Sequence, residues 1–203
     1  MLHKLHRTSA VLIGTFLLFH LINHAFILKG LQQHIDFMEI LRTFYRYPLV
    51  EFSLLACILF QVCSGAFFVW KRRGQRRSFF EKIQVISGLY LIYFFLNHVG
   101  AVLFGRILLD LDTNIYYGIA GLHIKPFHYY FVPYYFFAIL ALFVHLASAF
   151  NWLSRDTINE ALRIRLSYFV IVVGGIMSTV LMLGFSGSFY EIKIPSEYSA
   201  TFE

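Results

Sequence analysis

Two asparagine–histidine stretches lie deep in apolar sequence. Phe19-His20-Leu21-Ile22-Asn23-His24 sits inside the first long apolar run, and Asn97-His98 inside the third. An imidazole at mid-membrane depth is costly unless something binds it. Neutral imidazoles are good metal ligands, so two of them at one depth on helices running the same way suggest a metal centre held between the helices.

Depth supports that pairing. At 1.5 Å rise per residue, His20 lies about 12 Å from the far end of its run and His98 about 10 Å from the far end of its own. A haem iron takes axial imidazoles from two sides, and filling both positions favours electron transfer over oxygen binding. Gly14, Gly88 and Gly100 would let a flat macrocycle approach the backbone, or equally let helices pack closely. His24, one turn after His20, lacks the carboxylates or further histidines that a zinc or two-metal site recruits. It is expected near the outer interface, within reach of a haem propionate. His145, in the fourth run, lies about 8 Å from the opposite membrane face. His3, His6, His34, His123 and His128 are expected to be solvated or interfacial.

The elements that must position these groups are helices. Five apolar runs, about 8–28, 49–70, 83–105, 129–150 and 167–189, are each long enough to cross a bilayer, which takes roughly 20 residues of helix. Glu51 is the only formally charged residue well within them, near an end, and Pro133 falls near the start of the fourth. Of 203 residues, 59% are hydrophobic, 19% aromatic and only 14% charged, below the roughly 25% of soluble domains. No strand alternation, internal repeat or linker is expected, so residues 1–203 form one all-α membrane domain, a five-helix bundle. Net charge is +6, yet the basic residues sit in short connections, which argues against a nucleic-acid partner. Cys57 and Cys63 share one run without a CxxC spacing and are expected to behave as buried apolar residues.

Orientation follows from the connections. Lys4, Arg7, Lys71, Arg72, Arg73, Arg76, Arg77, Lys82, Arg155, Arg163 and Arg165 fall on one side; Lys29, Arg42, Arg46, Arg106, Lys125 and Lys193 fall on the other. The excess of basic residues predicts a cytoplasmic N-terminus and an outside C-terminus. Tyr129, Tyr130, Tyr134 and Tyr135 are expected in an interfacial aromatic belt, with a quinone-lining pocket as the alternative.

This pattern resembles the single-chain cytochrome b membrane anchor of succinate dehydrogenase and fumarate reductase. The likeness covers most of the chain. His20-Leu21-Ile22-Asn23 followed by Phe37-Met38-Glu39 resembles that family's first helix and loop. Asn97-His98-Val99 falls at its third-helix ligand and His145 at its fourth. Leu5-His6-Arg7-Thr8-Ser9-Ala10-Val11 is similar to the His-Arg-x-Ser-Gly opening of the two-chain anchors, whose Arg and Ser line a quinone site. The resemblance implies haem b on His20 and His98, His145 at a second haem or a quinone, and Arg7 and Ser9 at the quinone carbonyl. It also implies flavoprotein and iron–sulfur partners on the cytoplasmic face. Two-haem members pair helices one and three, then two and four. Here the helix-two position holds Gln61, in Gln61-Val62-Cys63-Ser64-Gly65, a departure from the ligand pattern. The chain has no dinucleotide fingerprint or cysteine cluster, so it would be an oxidoreductase subunit and not an enzyme alone. The membrane would be the cytoplasmic membrane of a prokaryote or the mitochondrial inner membrane. The alternatives are a cytochrome b subunit of another respiratory complex, fed at the outer face, and a haem-free structural subunit.

Overall fold

The computed structural model describes residues 1–75 and 78–202. Five long apolar helices run up and down: α1 (Leu2–Ala25, extended by a 3-10 turn Phe26–Leu28), α3 (Pro48–Lys71), α4 (Phe79–Ile107), α6 (His128–Leu153) and α7 (Glu160–Phe185). Each is long and apolar enough to cross a membrane. Their outward faces stay apolar, with Phe52, Leu59, Ile86 and Phe169 all exposed, as lipid contact requires. The protein is therefore an all-α membrane bundle. The chain starts at one end of it, here the N-terminal end, and finishes at the other. Arg76 and Arg77, counted for orientation above, lie outside the described residues.

Local chemistry sets the helix limits. Ser78 caps α4 by accepting the Glu81 N–H while the Glu81 carboxylate takes the Ser78 N–H, a reciprocal capping box. Pro48 opens α3, where its missing N–H costs nothing. α7 begins at Glu160, seven residues before the apolar run, because Asn159 caps it by accepting the Leu162 N–H. It stops at Phe185, just before Gly187 takes a φ of 75°. Pro133 lies inside α6, beyond its first turn.

Two helices in the connections are too short or too polar to read as spans. α2 (Leu31–Tyr45) buries His34, Met38 and Arg42, one turn apart on one face, and leaves Gln32, Gln33, Asp36 and Glu39 outside. α5 (Ile115–His123) is nearly all buried beyond its first turn. With Ile27, Leu181, Met182, Phe185 and Ile192, α5 builds an apolar plug across the C-terminal end. A short α8 (Ser196–Ser199) and a final 3-10 turn close the chain.

Lipid tails are as apolar as leucine, so the spans associate through close packing of small residues. α6 packs on both α4 and α7, presenting Ala138, Ala141, Ala147 and Ser148. On α7, a Cβ added to Gly174 would lie 2.3 Å from the Phe143 Cβ, so only glycine allows that approach. α1 packs along α3, and its terminal turn packs on α7. Ion pairs fasten the C-terminal end. Glu51 of α3 pairs with Arg106 of α4. Arg42 of α2 pairs with Glu39 at 2.7 Å and Asp112 at 2.9 Å.

Candidate paired-histidine site

α1 turns one stripe inward, made of Ser9, Ile13, Phe16, His20, Asn23, His24 and Ile27 at helical spacing. Phe94 and His98 lie one turn apart on α4. The His20 and His98 rings stand 6.2 Å apart, centre to centre, with planes at 63°. Phe16 stacks on His20 and Phe94 on His98 at 5.0 Å, so the pair sits between aromatic walls. The structure thus brings together the two histidines singled out by depth.

The 6.2 Å between ring centres leaves both imidazoles within reach of one group held between the helices. α1 and α4 do not pack closely, which leaves their backbones apart at this level. Among the described residues no group of three or more His, Cys, Asp or Glu side chains could hold a bare metal ion. Two imidazoles suit a macrocycle that brings its own four nitrogens. Gly14 leaves open space beside α1, whereas Gly88 is covered by the His145 ring and serves helix contact instead.

Other polar groups extend the pair towards the C-terminal end. His20 Nε2 lies 3.1 Å from His24 Nε2, and His24 Nδ1 lies 3.2 Å from His34 Nε2. Asn23 Nδ2 donates to the same His34 nitrogen at 3.3 Å. Ligation through Nε2 of His20 would exchange the His24 bond for the metal and free His24 for another donor. Asn23 Oδ1 and His34 Nδ1 are buried without partners, two orphaned groups on the rim where a polar substituent would be welcome. His34 is not solvated as expected but only 1% exposed, because α2 folds back over the bundle. Burial, with the Arg42 guanidinium close by, lowers its pKa to about 4. Asn97 is exposed and donates to Tyr93 O, away from the pair.

The N-terminal half holds a second polar cluster. Arg7 is exposed and stacks 4.6 Å from the Trp152 ring centre, beside a 440 Å³ cavity lined also by Leu153, Arg155 and Asp156. Ser9 is buried on another side of α1, accepting from Gln61 Nε2 at 2.7 Å and donating to Leu5 O. The two residues therefore do not line one pocket here. His145 Nδ1 sits 3.3 Å from both Gln84 O and Ser87 Oγ. His6, expected at the surface, is half-buried, with Nδ1 2.6 Å from Ser64 Oγ. Sequence reasoning passed over a signal here. Gln61-Val62-Cys63-Ser64-Gly65 on α3 recurs as Gln84-Val85-Ile86-Ser87-Gly88 on α4.

The tyrosines divide. Tyr129 is exposed, as a belt residue would be, and Tyr93 and Tyr130 join hydroxyls at 2.5 Å. Tyr134 is buried and Tyr135 donates to Gly118 O at 2.7 Å, so both serve packing. Cys57 is half-buried and Cys63 exposed on the apolar surface; both are free thiols.

Comparison with models of protein families, with curated proteins and with solved structures finds no match to this chain.

Proposed function

We propose that this chain is a haem b-binding membrane subunit of a succinate:quinone or quinol:fumarate oxidoreductase. It would pass electrons between an iron–sulfur partner and membrane quinone. The observation that carries the reading is the His20–His98 pair, 6.2 Å apart on helices that do not pack closely.

Haem held there would supply a one-electron carrier, and His20 and His98 would be the residues that hold it. Phe16 and Phe94 fix the two ring orientations by stacking, and the plug around Ile27 and Phe185 keeps water from the C-terminal side. Asn23, His24 and His34 offer polar atoms towards that side. Arg7 borders the cavity at the N-terminal end and supplies a guanidinium for a quinone carbonyl. Ser9 would join it only by releasing Gln61. The basic residues at that end, Lys71, Arg72 and Arg73 among them, favour a cytoplasmic N-terminus in a prokaryotic or mitochondrial inner membrane. They also suit acidic faces of flavoprotein and iron–sulfur partners.

The test is a pyridine haemochrome assay on the purified chain, with haem quantified per chain. At least one haem b is expected, and His20→Ala or His98→Ala should each remove one. A colourless wild-type protein, or variants that keep a full complement, overturns the assignment. One observation favours a second reading: the pair lies nearer the C-terminal end than the basic one. A subunit fed from the C-terminal side would co-purify with a cytochrome or molybdoenzyme there, not with a flavoprotein.

A further inference from the structure

Buried donors without acceptors gather under α2. Among the described residues, six buried side-chain nitrogen or oxygen atoms lack a hydrogen-bond partner, and four of them belong to Asn23, His34 and Arg42. Arg42 is only 7% exposed. Its Nη1 is taken up by Glu39 at 2.7 Å and Asp112 at 2.9 Å, while Nε and Nη2 meet nothing. Those two nitrogens form one edge of the guanidinium, and their parallel N–H groups match the two oxygens of a carboxylate. With Asn23 Nδ2 donating to His34 Nε2, the His34 proton sits on Nδ1, a third buried donor without an acceptor. Leaving such groups unmet costs the full desolvation of each, more for a charged one. Glu39 and Asp112 are 56% and 45% exposed, so water screens their charges but does not reach the open edge of Arg42.

The contacts of α2 place these donors beside the paired histidines. His34, Met38, Arg42 and Tyr45 share one stripe of the helix. Near its start, His34 meets Asn23 and His24. At its end, the Tyr45 ring lies 5.5 Å from that of Phe16. His24 is one turn after His20 on α1 and Phe16 one turn before it, so α2 passes His20 with Arg42 between the two contacts. From the other side, Asp112 ties Arg42 to the connection that leaves α4, the helix of His98.

We propose that Arg42, with His34 on the same stripe, anchors the propionate carboxylates of a haem held on His20 and His98, so that α2 closes over the acidic edge of that group. The ligand rests on the haem reading above, but the residues are separate from the axial pair. Protohaem carries two carboxylates on one edge. The Arg42 fork suits one of them, and the His34 Nδ1–H is a single donor for the other. Both are positioning residues.

The experiment uses the full-length apoprotein in phosphatidylcholine nanodiscs. It is titrated optically with iron protoporphyrin IX and with the dimethyl ester, in which both carboxylates are capped and neutral. The wild type should bind the acid about 10- to 100-fold more tightly than the ester. Arg42→Gln should reduce that preference about tenfold, and Arg42→Lys, which keeps the charge but not the fork, should recover part of it. Asp112→Asn loosens the fastening of α2 without touching the open edge, so it should leave the preference in place. Equal binding of acid and ester by the wild type, or a preference unchanged in Arg42→Gln, overturns this proposal and leaves the His20–His98 assignment standing. Binding of neither form by the wild type overturns both. If Arg42→Gln does not fold, the wild-type comparison decides. Native mass spectrometry tests a lipid phosphate as the other source of such an anion. Phospholipid retained by the wild type and lost in Arg42→Gln, with no preference for the acid, overturns the propionate in its favour.

Discussion

Acidification should loosen α2 through His34. In the docked helix this imidazole is 1% exposed, its pKa lowered from 6.5 to about 4 by burial and by the Arg42 guanidinium. Its neighbours are His24, Asn23 and Arg42, with no carboxylate bonded to it among the described residues. Released into water, the ring would titrate near 6.5. The folded value is the lower one, so the docked state is favoured fully above pH 6.5 and loses that advantage as pH falls towards 4. At about 1.4 kcal/mol per pH unit, docking weakens by about 2 kcal/mol at pH 5 and about 3 kcal/mol at pH 4. Hydrogen exchange of the α2 amides reads this directly. Protection should fall roughly 30-fold between pH 7 and pH 5, after correction for intrinsic exchange, at about 1.4 kcal/mol per tenfold. His34→Gln should flatten the dependence while lowering protection at pH 7. Equal protection at pH 7 and pH 5 in the wild type, or an unchanged slope in His34→Gln, would refute the argument.

Adjacent glycines on α7 should respond with opposite sign. Gly174→Ala drives a Cβ into Phe143 and should cost about 1–3 kcal/mol, while Gly175→Ala meets nothing within 4 Å and should stabilise the helix by about 0.5–1 kcal/mol; thermal melts in detergent compare them. Ile27→Ala empties a fully buried position in the terminal plug and should cost about 2–4 kcal/mol, measured the same way. Arg106→Ala strands Glu51 at the α3–α4 contact. Both groups are about 30% exposed, so the loss should be about 1–2 kcal/mol, and Glu51→Gln in the same chain should recover part of it.

The spans and the His20–His98 pair were legible because each rests on one dimension. Apolar length marks a helix that crosses, and rise per residue converts position into depth. What escaped depends on folding back. α2 is amphipathic and short, so its polar face hid it, and His34 looks solvated until that helix lies down on the bundle. His6 looks like part of an exposed tail until α3 supplies Ser64. The Gln-Val-x-Ser-Gly pair was visible in the letters, but five residues are too few for a repeat of any known architecture. Its meaning depends on α1 and α6 each delivering an imidazole to it.

One continuous helix, α1, carries both His6 and His20, fourteen residues apart. That spacing is about 21 Å along the axis, in a hydrocarbon layer about 30 Å thick. The helix therefore carries one imidazole in each half of the layer, so any substitution that tilts or slides α1 displaces both of them together.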